Sequence, residues 1–165
     1  MKKLIFVRHG RAEECTSQIS DYERSLTANG KCISGKMAGI LHERESDPAI
    51  FITSPAFRAY ETAVIFARVF GYDPENIVLE SSLYHNTTLK SFAEILEKQD
   101  KEINTIILFG HNPSFTEIPD RLSRDGCDFL QKSGIVCLSF KTDSWKGIVR
   151  ERGKIEYFIK PEKKA

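Results

Sequence analysis

Leu4-Ile5-Phe6-Val7-Arg8-His9-Gly10 is the stretch that decides the reading of this chain. Four consecutive apolar residues, with Ile5 and Val7 β-branched, predict a strand buried on both faces. A guanidinium, an imidazole and a glycine at its C-terminal end are poor core material. In open α/β sheets ligands bind at that end of the strands. The pattern returns at Thr105-Ile106-Ile107-Leu108-Phe109, which runs into Gly110-His111-Asn112-Pro113. Two buried strands, each ending beside a glycine and a histidine, point to one site built from distant segments.

Outward from these strands the elements alternate. Residues 11–26 read as a polar loop. Thr27 is placed to cap a helix whose apolar stripe is Ile33, Met37, Ile40 and Leu41. Gly30, Gly35 and Gly39 weaken that helix by propensity, which predicts close packing against neighbours. Ile50-Phe51-Ile52-Thr53 is a second buried strand. Ser54-Pro55 predicts a helix start, with Arg58 in its first turn and Gly71 as its stop. Ile77-Val78-Leu79 is a short strand. Thr88 caps a helix carrying Leu89, Phe92, Ile95 and Leu96. Asn112-Pro113 opens another helix, which Pro119 is expected to kink or interrupt. Residues 135–140 and 155–159 are late strands, with Trp145 between them as a packing residue. The fold class expected is α/β: a three-layer α/β/α sandwich around a mostly parallel sheet. At 165 residues a single domain over 1–160 is expected, followed by a charged tail at 161–165.

Net charge is +1, so no strong field favours nucleic acid or a membrane surface, and neither is expected as a partner. Cys15, Cys32, Cys127 and Cys137 are scattered and form no C-x-x-C pair. They read as free thiols of a cytoplasmic protein. No apolar run is long enough to span a bilayer.

Four side chains converge at the C-terminal edge of such a sheet: Arg8 and His9 from the first strand, Arg58 from the helix after the second, and His111 from the strand at 105–109. Helix N-termini at Ser54 and Asn112 would add positive dipole ends. That set describes an anion pocket, most simply for phosphate, since the guanidinium fork matches phosphate oxygens. Nearby positive charge is expected to lower the His9 pKa. A neutral imidazole can attack phosphorus and give a phosphohistidine that water hydrolyses. Gly10 lets the backbone pass close to the ligand. Asn112 can cap its helix or touch phosphate, and Thr27 reads first as a cap. Gly10, Thr27, His85 and Asn112 complete the candidate substrate-binding set.

These motifs resemble the histidine phosphatase superfamily, with its phosphoglycerate mutase-like fold. The resemblance rests on Val7-Arg8-His9-Gly10, Leu26-Thr27-Ala28-Asn29-Gly30, Thr53-Ser54-Pro55-Ala56-Phe57-Arg58-Ala59 with Glu61-Thr62-Ala63, and Gly110-His111-Asn112-Pro113. They stand in family order over nearly the whole chain. The resemblance implies His9 as phospho-acceptor, Arg8, Arg58 and His111 as the phosphate pocket, and neither metal nor cofactor. The short chain and G-H-N-P resemble the small phosphohistidine phosphatases of the SixA type.

One departure bears on substrate. Many family members carry an acid in an L-x-E context, where this chain has Leu83-Tyr84-His85. His85, Glu13, Glu14 and Asp21 are the candidate replacements. A site without a strong acid favours good leaving groups, such as the imidazole of phosphohistidine. The expected partner is thus a phosphorylated protein, with a small phosphorylated substrate as the alternative. A small-molecule phosphomonoesterase and a non-catalytic phosphoryl-binding module are the competing readings. A metal hydrolase built on His9, His85 and His111 is a third, opposed by two arginines in the same cavity.

Overall fold

The computed structural model describes residues 1–162. The expected tail at 161–165 therefore lies outside the described residues from position 163 onward. Strand β1 (Lys2–Arg8) leads through helix α1 (Ala28–Arg44) to β2 (Ala49–Thr53). Helix α2 (Phe57–Phe70), β3 (Val78–Leu79), α3 (Leu89–Glu97) and β4 (Thr105–Gly110) follow. Helix α4 (Ser114–Leu122) precedes β5 (Ile135–Phe140) and β6 (Lys154–Ile159). The sheet order is β3-β2-β4-β1-β5-β6. The pairs β3–β2, β2–β4 and β4–β1 are parallel, and β5 runs antiparallel to both β1 and β6.

Alternate side chains of the central strands feed two cores. Ile5, Val7, Phe51, Ile107 and Phe109 pack under α1 and α2. Leu4, Phe6, Ile52, Ile106 and Leu108 pack under α3 and α4, with Trp145 and Ile148 closing one end. Phe6 stacks on Phe92 of α3 and meets Phe115 of α4 edge-on. This is the three-layer α/β/α sandwich expected.

Several local expectations change. The buried side of α1 is Gly30, Ser34, Met37, Ala38 and Leu41, whereas Ile40 is exposed and Ile33 half-buried. Small residues are inside because α1 packs closely on its surroundings: a side chain at position 30 would overlap the Arg11 backbone. Gly35 and Gly39 have open space instead, so close packing accounts for only one of the three glycines. Helix α2 starts at Phe57, and Ser54 is not its cap. Pro119 does not interrupt α4, which continues to Leu122. Lys2 is fully buried, and its ammonium donates to Ile103 O, Lys101 O and Asn104 Oδ1.

The helix after β1 covers one face of the sheet and the helix after β4 covers the other. The loops leaving these adjacent strands therefore part, opening a crevice at their C-terminal ends. In the β1–β4 register Arg8 faces Gly110, and His9 N–H donates to Gly110 O at 3.0 Å. Ser54 N–H donates to Phe109 O, which brings the end of β2 to the same edge.

Candidate active site

Parallel register brings the two histidines together. Their ring centroids are 5.0 Å apart, and both side chains are buried. His9 Nδ1 lies 2.7 Å from Gly10 O. A carbonyl only accepts, so Nδ1 carries the proton. The lone pair of Nε2 then faces Arg58, whose Nε–H approaches to 3.4 Å. Burial above all holds the His9 pKa well below the ordinary histidine value, with the charges of His111, Arg58 and Arg8 adding to it. The neutral ring is as expected, but desolvation outranks the arginines as its cause. His111 Nε2 is 2.8 Å from Ser54 Oγ. Burial and then the Arg58 charge push His111 down to about 3.

Arg58 is gripped from the loop at 11–26. Its Nη1 donates to Asp21 O at 2.7 Å and its Nη2 to Asp21 Oδ2 at 3.1 Å. Tyr84 OH donates to the same oxygen at 2.7 Å, and Arg24 holds Oδ1. Burial works to raise the Asp21 pKa. The hydrogen bonds from Tyr84, Arg24 and Arg58 outweigh it and hold the carboxyl well below its usual range. Tyr84 rises to about 12, through burial and its bond to Asp21.

Arg8 and His111 carry the decisive detail. Among the described residues, two buried side-chain atoms lack any hydrogen-bond partner: Arg8 Nε and His111 Nδ1. His111 packs against the His9 ring, and the Arg8 charge acts on both histidines. An unpaired buried polar group costs about 1–3 kcal/mol, so each of these nitrogens is a place for a water or a ligand oxygen. Arg8 Nη1 donates to Leu130 O, leaving the Nε edge of its fork uncommitted.

The other expected site residues divide. Gly10 is required by packing, because a Cβ would come within 2.6 Å of Ser34 Oγ. Its N–H donates to Thr62 Oγ1, which in turn donates to Arg58 O. Thr27 is the cap of α1, accepting from Gly30 N–H, and its hydroxyl also contacts Arg11 O. Asn112 is committed at both ends: Nδ2 donates to Leu130 O, and Oδ1 accepts from Thr116. It braces the 129–131 loop. His85 is exposed and lies against the Tyr84 ring, near enough for its charge to act on His111. Among the described residues no group of three or more His, Cys, Asp or Glu side chains is placed to hold a metal ion. Glu13 and Glu14 are exposed. The first turn of α2 is partly spent within the protein, since Phe57 N–H goes to Tyr22 O and Ala56 N–H to Ser54 Oγ. Sequence reading missed Tyr84, Ser54 and Thr62 as parts of the site. All three stood inside quoted segments, Tyr84 within Leu83-Tyr84-His85, where only its neighbour His85 was read as a site residue.

A buried neutral imidazole under the charges of two guanidiniums, at the C-terminal edge of an α/β/α sheet, is an arrangement suited to an anionic group. Comparison with known proteins gives the class. Residues 4–112 match the family model of the histidine phosphatase superfamily (branch 1), and the chain belongs to that family of phosphatases. Comparison with curated proteins gave no match. Among solved structures, the protein histidine phosphatase SixA complexed with tungstate aligns with TM-score 0.81 and 18% identity over 96% of this chain and 97% of that one. A candidate phosphohistidine phosphatase SixA from Agrobacterium tumefaciens aligns at 0.78 and 21%, over 98% and 99%. A mycobacterial glucosyl-3-phosphoglycerate phosphatase aligns at 0.67 and 13%, over 94% and 97%. Among the described residues no helix is long and apolar enough to cross a membrane.

The two depressed histidines set an acid limit on stability. Above about pH 6.5 the folded and unfolded chains both keep these rings neutral, so they contribute no pH dependence. As pH falls below that value, the unfolded chain takes up protons that the folded rings refuse, and stability falls. Each ring contributes up to about 1.4 kcal/mol per pH unit. Asp21 acts in the other window. Its depressed carboxyl stabilises above the unfolded carboxylate value, roughly 3.9, and that contribution is lost only below it. Urea midpoints measured from about pH 7.5 to about pH 4.5 isolate the histidines. They are expected to drop steadily below about pH 6.5, and to flatten in a His9→Asn/His111→Asn variant. A midpoint flat across that range in the parent protein would contradict the burial argument.

Proposed function

We infer that this chain is a phosphatase that works through a covalent phosphohistidine on His9 Nε2, without a metal, and that its substrate class is phosphohistidine in proteins. The observation carrying this reading is the neutral His9 ring packed against His111, with the charges of Arg58 and Arg8 acting on it and two buried nitrogens, Arg8 Nε and His111 Nδ1, left without partners. A bound phosphoryl group satisfies both with its oxygens. With a phosphoryl oxygen at Nδ1 the His111 ring carries its proton there, and Ser54 Oγ, 2.8 Å from Nε2, is then the donor to that nitrogen. The tungstate bound by a SixA relative of this fold is also a tetrahedral oxyanion.

In the first step the Nε2 lone pair forms a bond to phosphorus. The bond from phosphorus to the leaving group breaks, and that group departs with its electron pair. The Nδ1–H···O bond to Gly10 backs the ring as positive charge develops on it. Arg8, Arg58 and His111 hold the three equatorial oxygens, which is most of what phosphoryl transfer asks of a protein. In the second step water attacks the phosphohistidine, and inorganic phosphate leaves with His9 restored.

Among the described residues, the carboxyl groups named as candidate acids are not set up to donate a proton. Asp21 is held ionised by three hydrogen-bond donors, and Glu13, Glu14 and His85 are exposed. This favours a leaving group that departs easily, and so a phosphoramidate over an alkyl phosphate.

The test is direct. The protein is mixed with phosphohistidine substrate, quenched rapidly without acid, and digested. The expected result is one added phosphoryl mass on the peptide containing His9, with steady-state turnover unchanged by EDTA. Turnover without any phosphorylated His9 peptide, or turnover abolished by EDTA, would overturn the reading.

A further inference from the structure

A groove of about 380 Å³ opens beside Arg8, and its lining includes Arg8, Arg11, Asn29, Phe129, Lys132 and one carboxylate, Glu162. Arg8 is shared with the candidate active site, so the groove begins within one side chain of the nucleophile. The phosphoryl chemistry inferred above uses none of the other residues. Among the described residues, Arg8, Arg11 and Lys132 have no carboxylate partner, whereas Arg58 and Arg24 share Asp21. Their charges act on one another: Lys132 is lowered by burial first, then by the charges of Arg8, Arg11 and Arg24. A cluster of unpaired like charges on a chain of net charge +1 is a local feature and not a reflection of composition. Such a cluster is relieved by an incoming anion.

The groove also has an apolar component. Phe129 is 62% exposed, and the Arg8 guanidinium lies over its ring at 5.5 Å. Arg11 and Lys132 are exposed as well. Long, solvated cations around an open aromatic read charge more than shape. That suits the rim of a protein contact better than the enclosed, fully bonded subsite a small metabolite needs.

We propose that this groove is a docking subsite for an acidic polypeptide surface, in which carboxylates flanking the phosphorylated histidine are received by Arg11 and Lys132 while Phe129 covers apolar substrate surface. The proposal rests on the phosphatase reading and adds the substrate's surroundings to it. Arg11 and Lys132 then act on encounter and orientation, and their effect falls with salt.

The experiment uses two phosphohistidine peptides of equal length, flanked by glutamates in one and glutamines in the other. A chromogenic aryl phosphate serves as the small substrate. The wild-type protein is expected to show a kcat/KM about tenfold higher on the glutamate peptide at low salt. That preference should vanish in Arg11→Gln/Lys132→Gln and at high salt, with aryl phosphate hydrolysis unchanged. Equal rates on the two peptides, a preference that survives the double substitution, or an equal gain with a small bisphosphate would overturn the proposal. Binding of both peptides to His9→Ala repeats the comparison without turnover. Loss of turnover with retained glutamate preference in binding would count against the phosphatase reading alone. Equal binding would count against the groove.

Discussion

His9→Ala is expected to lower kcat by at least about 10⁴-fold, the scale on which losing an activated nucleophile is felt, while leaving the oxyanion pocket able to bind. The two effects separate because different groups carry them. On the proposed mechanism the reacting lone pair is on His9 Nε2, while His111 Nε2 is engaged with Ser54 Oγ. The binding groups survive the change, because Arg8 Nε and His111 Nδ1 do not depend on the His9 ring for partners, and Arg58 is held by Asp21. Thermal unfolding with increasing inorganic phosphate or tungstate reads the pocket independently of turnover, since a ligand that binds only the folded state raises Tm. The expected pattern is an anion-dependent Tm rise of similar size in wild type and His9→Ala, beside a collapse of turnover. Residual hydrolysis within tenfold of wild type would mean that another group attacks phosphorus.

That experiment turns on residues the sequence displayed plainly, and the reason is physical. A strand buried on both faces must be apolar throughout, so Arg8-His9 and Gly110-His111 stand out where the apolar runs stop. Their meeting is a matter of register. The pairing of Arg8 with Gly110 is set by the whole sheet, and alternation of strands and helices points to it only through the general habit of parallel sheets. The stripe of α1 was misread for the opposite reason. Apolar periodicity picks out large side chains such as Ile33 and Ile40, but a helix packed closely turns small ones inward, and Gly30, Ser34 and Ala38 are buried. Nothing in the sequence marks Lys2 for burial, and three oxygen acceptors from the 101–104 segment make its burial tolerable. The Asp21–Arg58–Tyr84 network joins three segments far apart in the chain. No spacing rule within any one of them reveals it.

The same network underlies the second large effect, discrimination by leaving group. Proton donation to a departing oxygen contributes about 10²–10⁴ in rate. Asp21 cannot supply it at neutral pH, because Tyr84, Arg24 and Arg58 all stabilise its ionised form. Tyr84 spends its proton on Asp21 and, at about 12, holds it too tightly to serve as a strong acid. An alkyl phosphate must then expel an alkoxide nearly unaided. A phosphohistidine protonated on its other ring nitrogen expels neutral imidazole, whose conjugate acid has a pKa near 6.5; that proton is taken from solvent near neutral pH, so departure needs no acid from the pocket. The expected kcat/KM on a phosphohistidine peptide therefore exceeds that on an alkyl phosphate monoester by about 10²–10⁴, the size of the missing proton transfer. Aryl phosphates fall between the two, ordered by the acidity of the phenol. A series of phenols of graded pKa gives the sharper reading: a steep dependence of kcat/KM on leaving-group pKa marks a bond breaking without protonation. A flat series, or alkyl and phosphohistidine substrates turned over alike, would place a working acid in the pocket. Tyr84 would then be the residue to replace first, since its hydroxyl donates to Asp21 and its ring lies against His111.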